Sequence, residues 1–167
     1  DKIYITNKQK GLLLAVIGED ILQGANIIVA HIDSPRLDFK QNPVYEDLDL
    51  ALFKTRYYGG IKKYQWTTIP LAIHGIVVRA DGSEIEISIG DSPLDPVFCI
   101  TDLLPHLAEE QMKKTMKEAI AGESLNILAG SMPGDDEKGK FKEALLKILN
   151  EKYGIKEEDF VSAELEA

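Results

Sequence analysis

The chain has 167 residues, 44 % hydrophobic and 28 % charged, which is typical of one folded domain or of one domain and a piece of another. Its formal net charge of −9 argues against nucleic-acid and anionic-membrane partners, because both require a basic surface. The single cysteine, Cys99, excludes a disulfide framework and favours a reducing, cytoplasmic location.

The first part of the sequence predicts β-strands. Short apolar runs bounded by glycine predict buried strands over residues 12–17 and 25–31. A mixed apolar and basic run predicts a further strand over residues 50–57. Residues 84–89 alternate strictly between polar and apolar side chains, and they follow Asp-Gly and a long β-branched run over residues 73–79. Because Asp-Gly readily adopts positive φ angles, this pattern predicts a β-hairpin.

The last third of the sequence changes to a mainly helical pattern. Helices are predicted over residues 106–120 and 140–153, the second ending at Gly154. Short strands are predicted over residues 125–129 and 160–165. We therefore predict a mixed α+β fold that is predominantly β, like a β-barrel or sandwich, with two or three helices in the C-terminal third.

The segment His-Ile-Asp-Ser-Pro at residues 31–35 is the candidate for chemistry. In an extended chain, His31 and Asp33 lie on one face, because residues i and i+2 point the same way. A neutral imidazole is a good zinc ligand, and a neighbouring carboxylate can fix its tautomer. The spacing alone favours a structural histidine that is hydrogen-bonded to a nearby acid over a metal ligand, and it leaves both interpretations open.

The wider sequence resembles the M18 family of metallo-aminopeptidases, which includes the aspartyl aminopeptidase and aminopeptidase I types, and it is most similar to the bacterial branch. Residues 31–37 match the His-x-Asp-Ser-Pro-Arg-Leu signature of that family. Several further blocks match in the same order, and together they cover nearly the whole chain: residues 42–47, 54–66, 69–75, 102–108 and 159–165.

The resemblance implies a two-metal, usually zinc, site on an α/β catalytic domain, with a second, mainly β domain inserted into it. In the family, the signature histidine is a metal ligand and the signature aspartate supports it, so His31 and Asp33 are expected in these roles. The inserted domain of the family mediates dimerisation and covers the active site, so the implied partners are a peptide substrate and further copies of the chain.

The resemblance also implies that the remaining ligands and the general-base glutamate lie beyond this sequence. We therefore expect residues 1–40 to flank the catalytic domain, residues 41–160 to form the inserted domain and residues 161–167 to begin the return. The chain alone is expected to be inactive. Glu109-Glu110 and Glu157-Glu158 lie in lysine-rich turns and are expected to be solvated.

Two alternatives remain open at this point: a self-sufficient metal hydrolase that uses His31 and Asp33, and a β module that binds peptide or sugar. The other histidines have simpler interpretations, His74 as a core or interface residue and His106 as a local contact at a helix start. Residues 57–66 interleave aromatic, glycine and lysine residues. We expect them to contact another subunit, because aromatic residues are enriched at interface cores.

Overall fold

A computed structural model describes residues 1–8, 10–19, 21–134 and 139–167. The chain divides into two compact units, Asp1–Ser34 and Pro35–Ala167. The boundaries expected for the whole protein, after residues 40 and 160, both fall inside the second unit and stay predictions. In the described part of the chain, no helix has the length and apolar character needed to cross a membrane.

The first unit contains one antiparallel hairpin, formed by β1 (Lys2–Asn7) and β2 (Gly11–Val16). The strand β2 agrees with the strand predicted from glycine-bounded apolar residues, whereas β1 was not predicted. Most hairpin side chains are exposed, including Leu14 at 71 % and Val16 at 76 %. The apolar side chains of this hairpin are therefore exposed, and none of them forms a buried core.

The buried strand predicted over residues 25–31 is wrong for this structure. Residues 24–35 form no helix or strand, and Ile27, Ile28 and Val29 are 81 %, 97 % and 86 % exposed. A strand needs a hydrogen-bonded neighbour, and β1 and β2 pair only with each other among the described strands. The apolar run has the composition of a buried strand, but none of the described strands pairs with it.

The second unit is built on a curled six-stranded sheet that forms half of a barrel. Its strands are β3 (Arg36–Asp47), β4 (Leu50–Tyr58), β5 (Ile73–Val78), β6 (Glu84–Ile89), β7 (Ile127–Gly130) and β8 (Ala163–Glu166). The spatial order is β6-β5-β8-β3-β4-β7, and every pairing is antiparallel. The predicted, predominantly β fold class is confirmed.

The hairpin of β5 and β6 is the strand pair that the sequence predicted most directly. Its turn is closed by two backbone hydrogen bonds: the Arg79 amide donates to the Ser83 carbonyl at 2.8 Å, and the Gly82 amide donates to the Arg79 carbonyl at 2.9 Å. Gly82 in this turn has a φ of 81°, which glycine adopts without steric cost. The local Asp-Gly signal and the alternating pattern were therefore sufficient to predict both strands.

The first and last strands of the second unit, β3 and β8, are hydrogen-bonded neighbours in the sheet. The backbone amide of Leu37 donates to the carbonyl of Ala167 at 2.9 Å, and the amide of Ala167 donates to the carbonyl of Leu37 at 3.0 Å. Asp38 of β3 is paired with Glu166 of β8 in the same ladder. The chain therefore enters and leaves this unit on adjacent, hydrogen-bonded strands.

Three α-helices occur in the described residues: α1 (Glu109–Met112), α2 (Met116–Ala119) and α3 (Lys140–Tyr153). The helix predicted over residues 106–120 is thus two short helices, because Thr115 between them has an extended backbone with φ −65° and ψ 155°. The helix α3 matches its predicted bounds and ends at Gly154 with a φ of 66°.

The buried core of the described residues lies in the second unit. Strand side chains such as Phe53 and Ile89 are 2 % and 1 % exposed, and the apolar face of α3 adds Phe141, Leu145 and Leu149. The Glu46 carboxylate of β3 accepts a hydrogen bond from the backbone amide of Phe141 in the first turn of α3. This bond fixes the start of α3 over the sheet, because the first amides of a helix have no partner within it.

Candidate functional site

His31 and Asp33 lie close together in the extended segment between the hairpin and β3. The His31 Nδ1 atom is 3.1 Å from the backbone carbonyl oxygen of Asp33 and 3.4 Å from its Oδ1 atom. The two side chains are 86 % and 52 % exposed. The structure thus brings the two predicted site residues together, on the surface of this chain and not in a closed pocket.

The geometry of this pair suits one zinc ligand and its supporting acid. When Nδ1 carries the ring proton, it donates to the Asp33 oxygens, and Nε2 keeps the lone pair that binds a metal. A zinc site needs at least three protein ligands. Within the described ranges, no group of three or more His, Cys, Asp or Glu side chains is placed to hold a metal ion. The assignment of His31 as a metal ligand and of Asp33 as its supporting acid therefore stays a prediction.

The other two histidines lie in different surroundings. His74 is on β5, 48 % exposed, with its Nε2 atom 3.2 Å from the Oδ2 atom of Asp91. It is therefore a surface histidine of this chain with an acidic neighbour and not a core residue, and the alternative that it lies at an interface stays a prediction. His106 is an exposed residue in the turn that precedes α1.

Both Glu-Glu pairs contact lysine, and the predicted solvation holds for Glu109 and Glu110, whereas Glu157 pairs with Lys142 in a half-buried setting. The Lys113 ammonium lies 3.0 Å from Glu109 and 2.6 Å from Glu110, and these three side chains are all more than half exposed. The Glu157 carboxylate pairs with Lys142 in the same way, at 2.5 Å. Neither pair has the setting of a metal site, because lysine ammonium groups already compensate the carboxylates.

Residues 57–66 pack in part onto their own unit, and the expected contact with another subunit stays a prediction. The partly buried side chains of Ile61, Tyr64 and Trp66 pack against the core. Tyr58 instead lies under Arg36, with the guanidinium carbon 4.2 Å from the ring centroid. A run of aromatic residues between lysines thus covers the end of the sheet, and the sequence pattern could not distinguish this from an interface.

A separate groove of about 690 Å³ lies between α3 and the region of β7. Its lining is mainly apolar, with Val97, Met132 and Ile148 among its side chains and the carboxylates of Glu143 and Glu151 beside them. Among its described lining residues there is no histidine or cysteine.

Comparison with known proteins gives a consistent result over the full length of the chain. The family model described as "Aminopeptidase I zinc metalloprotease (M18)" matches residues 1–167. A protein of Clostridium acetobutylicum named "Probable M18 family aminopeptidase 1" is 58 % identical, over 99 % of this chain and 36 % of its own length. A protein of the same name from Thermotoga maritima is 56 % identical, over 98 % of this chain and 36 % of its own length.

Solved structures agree with this result. The crystal structure of an M18-family aminopeptidase from Thermotoga maritima superposes with a TM-score of 0.92 at 55 % identity, over 99 % of this chain and 36 % of that one. The crystal structure of aminopeptidase I from Clostridium acetobutylicum superposes with a TM-score of 0.88 at 53 % identity, over 99 % of this chain and 37 % of that one.

The chain belongs to the M18 family of peptidases, which its family description calls zinc metalloproteases. It spans about 36 % of the length of the curated relatives that it matches. The resemblance inferred from the signature and the ordered blocks is therefore confirmed.

Proposed function

We propose that this chain is the part of a zinc-dependent aminopeptidase that carries one metal ligand and an inserted dimerisation and lid domain. In this proposal, His31 binds zinc and Asp33 holds its imidazole in the correct tautomer. The observation that carries the proposal is the contact of His31 Nδ1 with the backbone carbonyl oxygen of Asp33 at 3.1 Å and with its Oδ1 atom at 3.4 Å, which leaves Nε2 for the metal. Bound zinc would polarise the peptide carbonyl and lower the pKa of a bound water.

The role of an inserted domain is supported by one pair of backbone hydrogen bonds. Leu37 and Ala167 exchange them, so the strand before residue 41 and the strand after residue 160 lie side by side. A domain with adjacent ends can be inserted into another domain with little disturbance of either. The proposed boundaries are residues 1–40 for the flanking strands, 41–160 for the inserted domain and 161–167 for the return, which places this hydrogen-bonded pair just outside the inserted domain.

The exposed apolar segment before the signature supports the same proposal. Ile27, Ile28 and Val29 are more than four-fifths exposed in this chain, and exposed apolar runs of this kind mark contact surfaces. We propose that this segment becomes a paired strand of the catalytic domain in the whole protein. His31 would then follow the end of that strand, a position from which strands often deliver functional side chains.

The test uses the full-length protein that contains this chain. We expect His31→Ala to lower both the zinc content and the hydrolysis of an aminoacyl reporter by about 100-fold or more, because a removed ligand empties or distorts the site. His74→Ala is the matched control, since His74 is also exposed beside an aspartate. Unchanged zinc content in His31→Ala would refute the ligand assignment. Hydrolysis by this chain alone, lost in His31→Ala, would favour the self-sufficient hydrolase instead.

A further inference from the structure

We propose that the outer edge of β6 binds an extended peptide segment that carries lysine or arginine at alternate positions. The inference is independent of the proposed function, because it uses neither His31 nor a metal ion. β6 is the end strand of the six-stranded sheet, and no strand in the described part of the chain pairs with its outer side. An open edge of this kind can accept an added strand, whose main chain continues the hydrogen-bond ladder.

The register of the β5–β6 hairpin shows which backbone groups of β6 point outward. The amide of Arg79 donates to the carbonyl of Ser83, so these two residues form a hydrogen-bonded pair. In an antiparallel ladder, hydrogen-bonded pairs alternate with pairs that are not hydrogen-bonded. The next residue of β6 that bonds to β5 is therefore Ile85, and the backbone groups of Glu84 and Glu86 point away from β5.

One contact within the chain agrees with this direction. The Tyr153 hydroxyl, in the last turn of α3, donates to the Ser88 carbonyl at 2.6 Å. Ser88 is two residues beyond Glu86, so its backbone groups point to the same side of β6. This contact leaves Glu84 and Glu86 as the positions at which an added strand would pair, and each offers one amide and one carbonyl.

The side chains of Glu84 and Glu86 determine the charge that the partner needs. Both are exposed on the outer face of the sheet, and neither carboxylate has an ion-pair partner among the described residues. Glu164 of β8 lies in the same row as Glu86, because both are paired with Ile76 of β5. Residues directly opposite each other on antiparallel strands share a face, so the face beside the open edge is negatively charged.

A basic strand fits this edge, whereas a second copy of β6 does not. On an added antiparallel strand, the residues opposite Glu84 and Glu86 have their side chains on the same face, about 5 Å away. Lysine or arginine at these positions forms cross-strand ion pairs, but a second β6 edge would place carboxylate against carboxylate. Charged edge residues protect a sheet from pairing with itself, and here that protection depends on the sign of the partner's charge.

The position between the two basic residues completes the pattern. Its side chain lies on the opposite face of the added strand, next to the side chain of Ile85, which is partly buried. A β-branched residue such as valine fits there, because it favours an extended backbone and adds apolar contact. The partner is thus an extended segment in which basic residues alternate with β-branched ones.

The test measures the binding of labelled synthetic peptides to the full-length protein by fluorescence anisotropy. The probe is a peptide of about eight residues in which lysine alternates with valine. We expect saturable binding that weakens with added salt and is about 10-fold weaker in the double variant Glu84→Gln with Glu86→Gln. The matched control is Glu109→Gln with Glu110→Gln, which also removes two exposed carboxylates and should bind as wild type does.

Methylation of the peptide backbone separates strand addition from charge attraction. In the proposed pairing, the lysine amides of the peptide point toward β6 and the valine amides point toward solvent. Methylation of the lysine amides should therefore abolish binding, and methylation of the valine amides should change the affinity by no more than about 2-fold. Because these changes are made in the peptide, the fold of the protein is unaltered.

Four outcomes would overturn the inference. Equal loss with both methylations, or equal binding of a peptide whose lysines are grouped at one end, would show charge attraction without strand pairing. Equal weakening in the Glu109 and Glu110 control would place the contact elsewhere. The third is the absence of saturable binding up to about 1 mM peptide. The fourth is binding that occurs only as an oligomer dissociates in sedimentation, which would assign this edge to a second copy of the chain.

Discussion

The Asp33 side chain and carbonyl both face the same nitrogen of His31, so the proton of that nitrogen has two acceptors. We expect Asp33→Asn to lower the activity and zinc affinity of the full-length protein by about 10- to 100-fold, through a wrongly set tautomer. Asp91→Asn is the control, because Asp91 stands beside His74 at a similar distance. Equal kinetics and zinc affinity in wild type and Asp33→Asn would show that the carboxylate does not support a ligand.

The Asp95 carboxylate gives a pH-dependent contribution to stability. Its Oδ1 atom is 2.7 Å from the Lys152 ammonium on α3, and its Oδ2 atom accepts from the Gly90 amide at 3.0 Å. These two hydrogen bonds, the Lys152 bond first, hold the pKa of Asp95 below its ordinary value. The stabilisation is therefore present above the ordinary pKa and is lost as the pH falls through the lower pKa of the folded state.

We accordingly expect Asp95→Asn to lower Tm at neutral pH and to leave a smaller difference from wild type below about pH 4. Thermal melts at a series of pH values measure this. The control is Glu158→Gln, because the Glu158 carboxylate is exposed and 3.8 Å from the Lys156 ammonium. A Tm difference for Asp95→Asn that stays constant down to acidic pH would contradict the assigned ion pair.

Close approach of two strands depends on one glycine of β5. Gly75 has a φ of 142°, and a Cβ atom there would collide with the backbone carbonyl of Glu164 beside it in β8. We expect Gly75→Ala to destabilise the fold by on the order of 3 kcal/mol or more, because the obstacle is backbone. Gly82 also has a positive φ, but a Cβ atom there would meet open space. Gly82→Ala should therefore lower the free energy of unfolding by only about 1–2 kcal/mol. Chemical denaturation measures both, and equal costs would be inconsistent with the collision.

The elements that the sequence predicted well are those specified by local signals. The hairpin of β5 and β6 and the helix α3 have their turn residues, periodicity and terminal glycine in the sequence itself. The strand β3 was missed, because Pro43 and polar neighbours interrupt its pattern. The register between β3 and β4 shifts between Phe39 and Val44, and Pro43 occupies this irregular stretch, where a residue without an amide hydrogen is tolerated.

Elements and sites that depend on distant partners were harder to predict. Residues 25–31 have strand composition, but no described strand of this chain pairs with them. The motif predicted that His31 and Asp33 share a face, and the two side chains do lie together. This could be predicted because the two residues are only two positions apart in the sequence. The link from Arg36 to Glu166 joins two ends of the unit that are far apart in sequence. No spacing rule indicates such a pair, so it required the structure.

At the scale of the whole molecule, exposed apolar residues occur in both units, and within the second unit they are densest along residues 103–116. Within residues 103–116, five large apolar side chains are more than half exposed: Leu103 (55 %), Leu104 (59 %), Leu107 (64 %), Met112 (66 %) and Met116 (63 %). By contrast, the edge strand β6 carries exposed Glu84 and Glu86. Pairing of two β6 edges would bring like charges close together, which disfavours association there.

We therefore expect this chain to self-associate through residues 103–116, because a cluster of exposed apolar side chains is typical of an interface. Sedimentation at micromolar concentration should show a dimer or larger species. The double variant Leu104→Glu with Leu107→Glu should shift the equilibrium toward monomer, because the contact would then have to bury two carboxylates. Leu94→Glu is the control, because Leu94 is 96 % exposed outside this stretch. A monomer at every concentration would count against the dimerisation role, and an oligomer unaffected by the double variant would place the contact on another surface.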